Sequence, residues 1–72
     1  MNAKDIETLG TALPKEMARV RDEILPLYAE IKEGAYAAMM MRRDLDLAAK
    51  AMIEGDVVEM MRVYQSLKGW NS

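Results

Sequence analysis

Apolar residues repeat in a heptad from Leu13 to Met52 without losing phase. One set of positions reads Met17, Ile24, Ile31, Ala38, Leu45 and Met52. The other, four residues earlier, reads Leu13, Val20, Leu27, Gly34, Met41 and Ala48. Eleven of these twelve are Ala, Val, Ile, Leu or Met, in a chain that is 51% hydrophobic. That spacing is how a helix buries one stripe against other helices. No segment alternates with period two over a useful length, so the chain reads as all-α.

Punctuation divides the pattern. Asn2 is placed to cap a short N-terminal helix or arm over 1–11, with Asp5 favourable to its dipole and Gly10 as the exit. Thr11 then caps a long helix over roughly 12–33, with Pro14 in the first turn, where a missing N–H costs little. Pro26 lies inside this helix, off the Val20–Ile24–Leu27–Ile31 stripe, and predicts a bend. Gly34, as a left-handed residue past the helix end, turns the chain back into a second helix over 35–54. The alternative is one coiled-coil helix over 12–54, since the heptad crosses Gly34 in phase. Gly55-Asp56 followed by Glu59 has the spacing of a capping box and opens a third helix over 57–68, ended by Gly69.

The expected fold is therefore a small three-helix bundle in a single helical domain over 1–72. At 1.5 Å per residue, the two long helices are about 30 Å long and the third about 18 Å. A chain of 72 residues supplies only ~3–5 kcal/mol from one core, so it needs unusually good packing, staples or a partner. It has neither Cys nor His, which removes disulfides and the common zinc sites. The heptad face of Met17, Val20, Ile24, Leu27, Ile31, Ala38, Met41 and Leu45 is the expected self-association and partner face. A homodimer and an unidentified protein partner are the partners it implies.

Charge and chemistry narrow the field further. The net charge is −2 with both signs interspersed, so no strong field attracts nucleic acid or an anionic membrane. The longest apolar run, Ala35 to Met41, is far short of the ~20 residues a bilayer requires. The opening Met-Asn-Ala-Lys-Asp has no secretory character, and a cytoplasmic location is the expectation. Without His or Cys there is no ready base or nucleophile, so no enzyme and no cofactor are expected. Arg42, Arg43, Asp44 and Asp46 read as a solvated face, with Asp46 and Lys50 at the spacing of a surface pair. Among the consecutive Met39, Met40 and Met41, at least one must face outward. Ala35, Ala37, Ala38, Ala48, Ala49 and Ala51, with Gly34, make the second helix small-sided and favour both helix formation and close approach.

A helix, a glycine turn and a second helix over 48–68 raise the alternative of a DNA-associated transcriptional regulator. The would-be recognition helix, however, opens Asp56-Val57-Val58-Glu59-Met60-Met61, acidic and apolar where phosphates and base edges demand basic and polar groups. Nucleic acid is not the favoured partner.

Met17-Ala18-Arg19-Val20-Arg21 and the run from Ala48 to Val58, with Arg62, Tyr64 and Leu67-Lys68, resemble a group of short uncharacterised proteins of proteobacterial prophages and phages. The resemblance covers most of residues 12–69 and rests on packing and capping positions. The group carries no assigned activity, so no functional residue transfers. What it implies is a bacterial or phage cytoplasmic setting and an accessory, non-enzymatic interaction role.

Overall fold

The first arm of the bundle stays helical through two prolines and a glycine, by changing its pitch once. In this computed structural model, the backbone is described over residues 3–71 and the side chains over 9–71. Helix α1 spans Ala3–Arg19, a π-helical turn follows over Val20–Ile24, and α2 completes the arm over Leu25–Ala29. The helix does not break at Gly10 and Thr11. From Ala3 onward the expected N-terminal arm is the first part of α1, with Pro14 in its interior. Gly10 is exposed with open space around it. Its carbonyl, four residues before Pro14, is thus free to tilt outward. The expected cap at Asn2 lies outside the described residues.

The bend expected at Pro26 takes the form of the π turn. In an α-helix the proline ring would press on the Asp22 carbonyl and leave it without a donor. Here the Leu25 N–H reaches back five residues to the Val20 carbonyl, which widens the turn ahead of the proline. A π turn inserts one residue into the helical phase. Upstream, Leu13, Val20 and Ile24 face the core; downstream, Leu25 and Tyr28 replace Leu27 in packing against it.

The arm ends at Ala29, four residues earlier than the spacing implies. Ile31 is extended (φ −110°, ψ 141°), a single 3-10 turn covers Lys32–Gly34, and α3 begins at Ala35. The chain turns back here, so the hairpin holds and the continuous rod does not. Gly34 is required for a different reason from the one expected. Its φ is −91°, an ordinary value. A Cβ there would run into the Tyr28 carbonyl oxygen, so glycine is what permits the close approach.

Helix α3 spans Ala35–Glu54 and α4 spans Val57–Lys68. Between them Gly55 is left-handed, at φ 67°. The Asp56 N–H bonds the Ala51 carbonyl at 3.0 Å and the Gly55 N–H bonds that of Met52 at 3.3 Å, a Schellman termination. Asp56 then caps α4, its side chain accepting the Glu59 N–H at 3.1 Å. The reciprocal half of the capping box is not made. The Asp56 N–H is already committed to Ala51, and the Glu59 carboxylate accepts from Arg62 at 2.8 Å instead.

The core joins Leu9, Leu13, Val20 and Ile24 of the first arm to Met41, Ala48 and Ala51 of α3 and Met60, Val63 and Leu67 of α4. Each large apolar side chain buried here is worth ~1.5–3 kcal/mol before the cost of ordering it. The three alanines Ala38, Ala48 and Ala51 are buried, which lets the neighbouring helices approach α3 closely. The bundle measures 43 × 18 × 15 Å. Its length follows from the first arm, whose 27 residues (3–29) span about 40 Å.

Candidate functional site

Two features stand apart from ordinary packing: a polar staple at the chain's C-terminal end, and the outer groove between α3 and α4. In the staple, Asp44 is only 8% exposed on the inner side of α3. Its Oδ2 accepts two bonds, from the Ser66 hydroxyl at 2.6 Å and from the Trp70 indole N–H at 2.9 Å. Arg19 comes in from α1 and donates to the Leu67 and Trp70 carbonyls at 3.2 and 2.9 Å. It thereby adds donors and positive charge at the end of α4, where the Leu67 carbonyl also accepts the Trp70 N–H at 3.1 Å. Glu16 holds the guanidinium in place at 3.0 Å. The Tyr28 hydroxyl donates to the Asn71 carbonyl at 2.8 Å. The tail after α4 is thus tied to the first arm and to α3. No buried side-chain nitrogen or oxygen among the described residues lacks a partner.

Of Arg42, Arg43, Asp44 and Asp46, read as a solvated face, three are exposed and Asp44 is the correction. A signal for Asp44 was present. Met41, Asp44, Ala48 and Ala51 follow three-and-four spacing, so Asp44 sits on the inward stripe as a lone acid among apolar residues. Finding its donors required the tertiary fold, since Ser66 and Trp70 lie more than twenty residues away. The surface pair expected between Asp46 and Lys50 is not formed among the described ion pairs. On the exposed side of the π turn, Arg21 and Asp22 pair at 2.8 Å. The hydrogen bond from Arg21 holds the Asp22 carboxyl below its ordinary range, and the same bond raises Arg21.

The eight residues of the expected partner face separate into three groups. Val20, Ile24, Ala38 and Met41 are buried within the single chain. Met17 and Leu45 are half-buried against the core. Leu27 and Ile31, beyond the π turn, are 50% and 51% exposed. Most of the seam is therefore occupied by the chain's own helices. Besides Leu27 and Ile31, the open large apolar side chains lie off that face: Tyr36, Met39, Leu47, Met52 and Ile53 on α3, and Val58 and Met61 on α4. Of the three consecutive methionines, Met41 is buried, Met40 half-buried and Met39 exposed.

The α3–α4 groove consists of two adjoining shallow depressions that share Leu47 and Glu59. One, of about 190 Å³, also takes in Arg43, Arg62 and Ser66. The other, of about 230 Å³, also takes in Lys50, Ala51, Glu54 and Asp56. Both are smaller than the ~300–1,000 Å³ of a small-molecule pocket and open along their length, a shape suited to side chains of another protein. No group of three acidic side chains among the described residues gathers as a cation site. No described helix is long and apolar enough to cross a membrane. Segment 48–68 folds as an antiparallel hairpin, with Ser66 and Trp70 brought back to Asp44, and the exposed start of α4 shows Val58 and Met61. No family model, curated protein or solved structure matches the chain.

Proposed function

We propose that this chain is a non-enzymatic helical interaction protein that associates with itself and with another protein. The observation that carries the reading is the set of large apolar side chains left open by a bundle whose core is already assembled. Ile53 is 86% exposed, Tyr36 71% and Val58 65%. Scattered apolar residues are common on protein surfaces. Here they accompany a groove floored by Leu47, in a chain short enough to gain substantially from a second subunit. The bacterial or phage setting and the cytoplasmic location implied by the resemblance belong to the same proposal. The absence of His and Cys from the sequence supports the non-enzymatic part.

Sedimentation equilibrium tests the self-association directly. The expected outcome is a concentration-dependent dimer at tens of micromolar; a strictly monomeric, cooperatively folded chain defeats it. Titration with duplex DNA at low salt discriminates the regulator reading, which requires binding that weakens steeply as salt rises.

A further inference from the structure

We infer that the α3–α4 groove is the self-association surface, occupied by the same groove of a second copy lying antiparallel across it. The inference rests on the self-association proposed above and adds its location, orientation and pairing. Arg43, Leu47 and Glu54 lie on one stripe of α3: eleven residues separate Arg43 from Glu54, which is three helical turns. Among the described residues, Arg43, Lys50 and Glu54 make no ion pair. Of the other charged groups lining the groove, Arg62 pairs with Glu59, Asp44 accepts from Ser66 and Trp70, and Asp56 caps α4. The groove thus carries unpaired Arg43 at one end and unpaired Glu54 at the other, with Leu47, 42% exposed, and the unpaired Lys50 between them.

A surface of that form is complementary to itself only when reversed. A two-fold axis midway between Arg43 and Glu54 sets each Arg43 opposite Glu54 of the second copy, giving two ion pairs from one interaction, as an isologous interface requires. The same axis puts Leu47 against the methylene stem of the facing Lys50, which can cover apolar surface while its ammonium stays in water. A parallel arrangement would instead align like charges along the groove. The stripe is distinct from the inward one: Met41 and Ala48 face the core of their own chain, so pairing here leaves the bundle intact. A small stable interface needs about 600 Å² per copy, about an eighth of the 4960 Å² that the chain exposes.

The test is a charge-reversal cycle read by sedimentation equilibrium, with far-UV circular dichroism confirming the fold of each variant. Arg43→Glu alone and Glu54→Arg alone should each weaken the dimer at least tenfold. The double variant should return to within threefold of the wild-type dissociation constant, and an equimolar mixture of the two single variants should form a heterodimer. Leu47→Glu provides an independent disruption that leaves both ion-pair partners in place, and it should weaken the dimer likewise. A wild-type dimer that all of these leave unchanged within twofold overturns the groove assignment while self-association stands. A wild-type chain that stays monomeric overturns both.

Discussion

Replacing Asp44 with alanine probes the one buried charged side chain among the described residues, and its cost can be worked from the contacts. Two donors bond the same oxygen, Ser66 at 2.6 Å and Trp70 at 2.9 Å, and a hydrogen bond to a charged acceptor contributes ~1.5–3 kcal/mol. The full sum overstates the loss. Ser66 lies at the exposed edge of the bundle, so its hydroxyl turns to water once the carboxylate is gone. Removing the carboxylate also relieves its own desolvation, and alanine is the better helix former by ~0.5 kcal/mol. The Trp70 N–H is less easily rehydrated, being half-buried. The net expectation for Asp44→Ala is a loss of about 2 kcal/mol. For a domain of this size that lowers Tm by roughly 10 °C, since each kcal/mol shifts it about 4–8 °C.

The assay follows from the composition. Trp70 is the single tryptophan of the chain, so its emission reports the staple while far-UV circular dichroism reports the helices. Asp44→Ala should shift Trp70 emission towards that of a solvated indole in the native baseline, before any unfolding. Asp44→Asn, which keeps an acceptor but no charge, should retain about half of the lost stability. A double-mutant cycle with Ser66→Ala should give a coupling of ~1 kcal/mol. If Asp44→Ala stays within ~0.5 kcal/mol of wild type and leaves the emission unchanged, the staple does not hold the tail in solution.

The glycines separate three physical roles in one thermal-denaturation series. Gly10→Ala, in open space within α1, should stabilise by ~0.5–1 kcal/mol through helix propensity. Gly55→Ala should cost about 1 kcal/mol, because its φ of 67° penalises any side chain. Gly34→Ala should cost ~2–3 kcal/mol, because its Cβ would strike the Tyr28 carbonyl and the backbone must move. A Gly34→Ala variant as stable as wild type would refute the close-approach account. Asp22 should titrate, by NMR, below the ~3.9 of a free aspartate, because Arg21 donates to its charged form. Its folded pKa is depressed, so its stabilising effect is present above the unfolded value and fades as pH falls through the folded one. Arg21→Ala should return the midpoint to the ordinary range.

The elements most legible in the sequence were those set by local chemistry. Gly55 and Asp56 mark the passage from α3 to α4, because left-handed termination and capping use residues within a few positions of one another; Gly69 marks the end of α4 at an ordinary φ of −73°. The inward stripe was legible up to Ile24 for the same reason of short-range periodicity. It misled at Leu27, because the π turn that accommodates Pro26 adds a residue to the helical phase and turns Leu25 and Tyr28 inward, and at Ile31, because the arm ends at Ala29 and Ile31 is extended. A proline inside a helix announces a distortion but not whether it will be a kink or an inserted residue. The tie between Arg19 and the end of α4 joins residues about fifty apart, and no periodicity records that. Gly34 was correctly placed at the turn, yet for the wrong cause, since the crowding comes from the Tyr28 backbone six residues earlier and not from a left-handed φ.

The position of the π turn also decides which surface remains for a partner. Had the heptad kept phase beyond Ile24, Leu27 would point inward and the first arm would present one continuous seam. Instead the inserted residue turns Tyr28 toward the tail, where its hydroxyl meets the Asn71 carbonyl. The tail so held brings Trp70 to Asp44. The inner side of α3 is then filled along its length, by Ile24 and Val20, by the staple, and by Met60 and Val63. A second copy cannot reach that stripe without unfolding the first. What α3 still offers is the neighbouring stripe through Arg43, Leu47 and Glu54, rotated about 100° from Ala48 because each residue advances by that angle. The heptad that suggests self-association is in this way spent on the fold itself, and the proposed association is therefore assigned to the adjacent stripe, where charge rather than apolar periodicity would set the register.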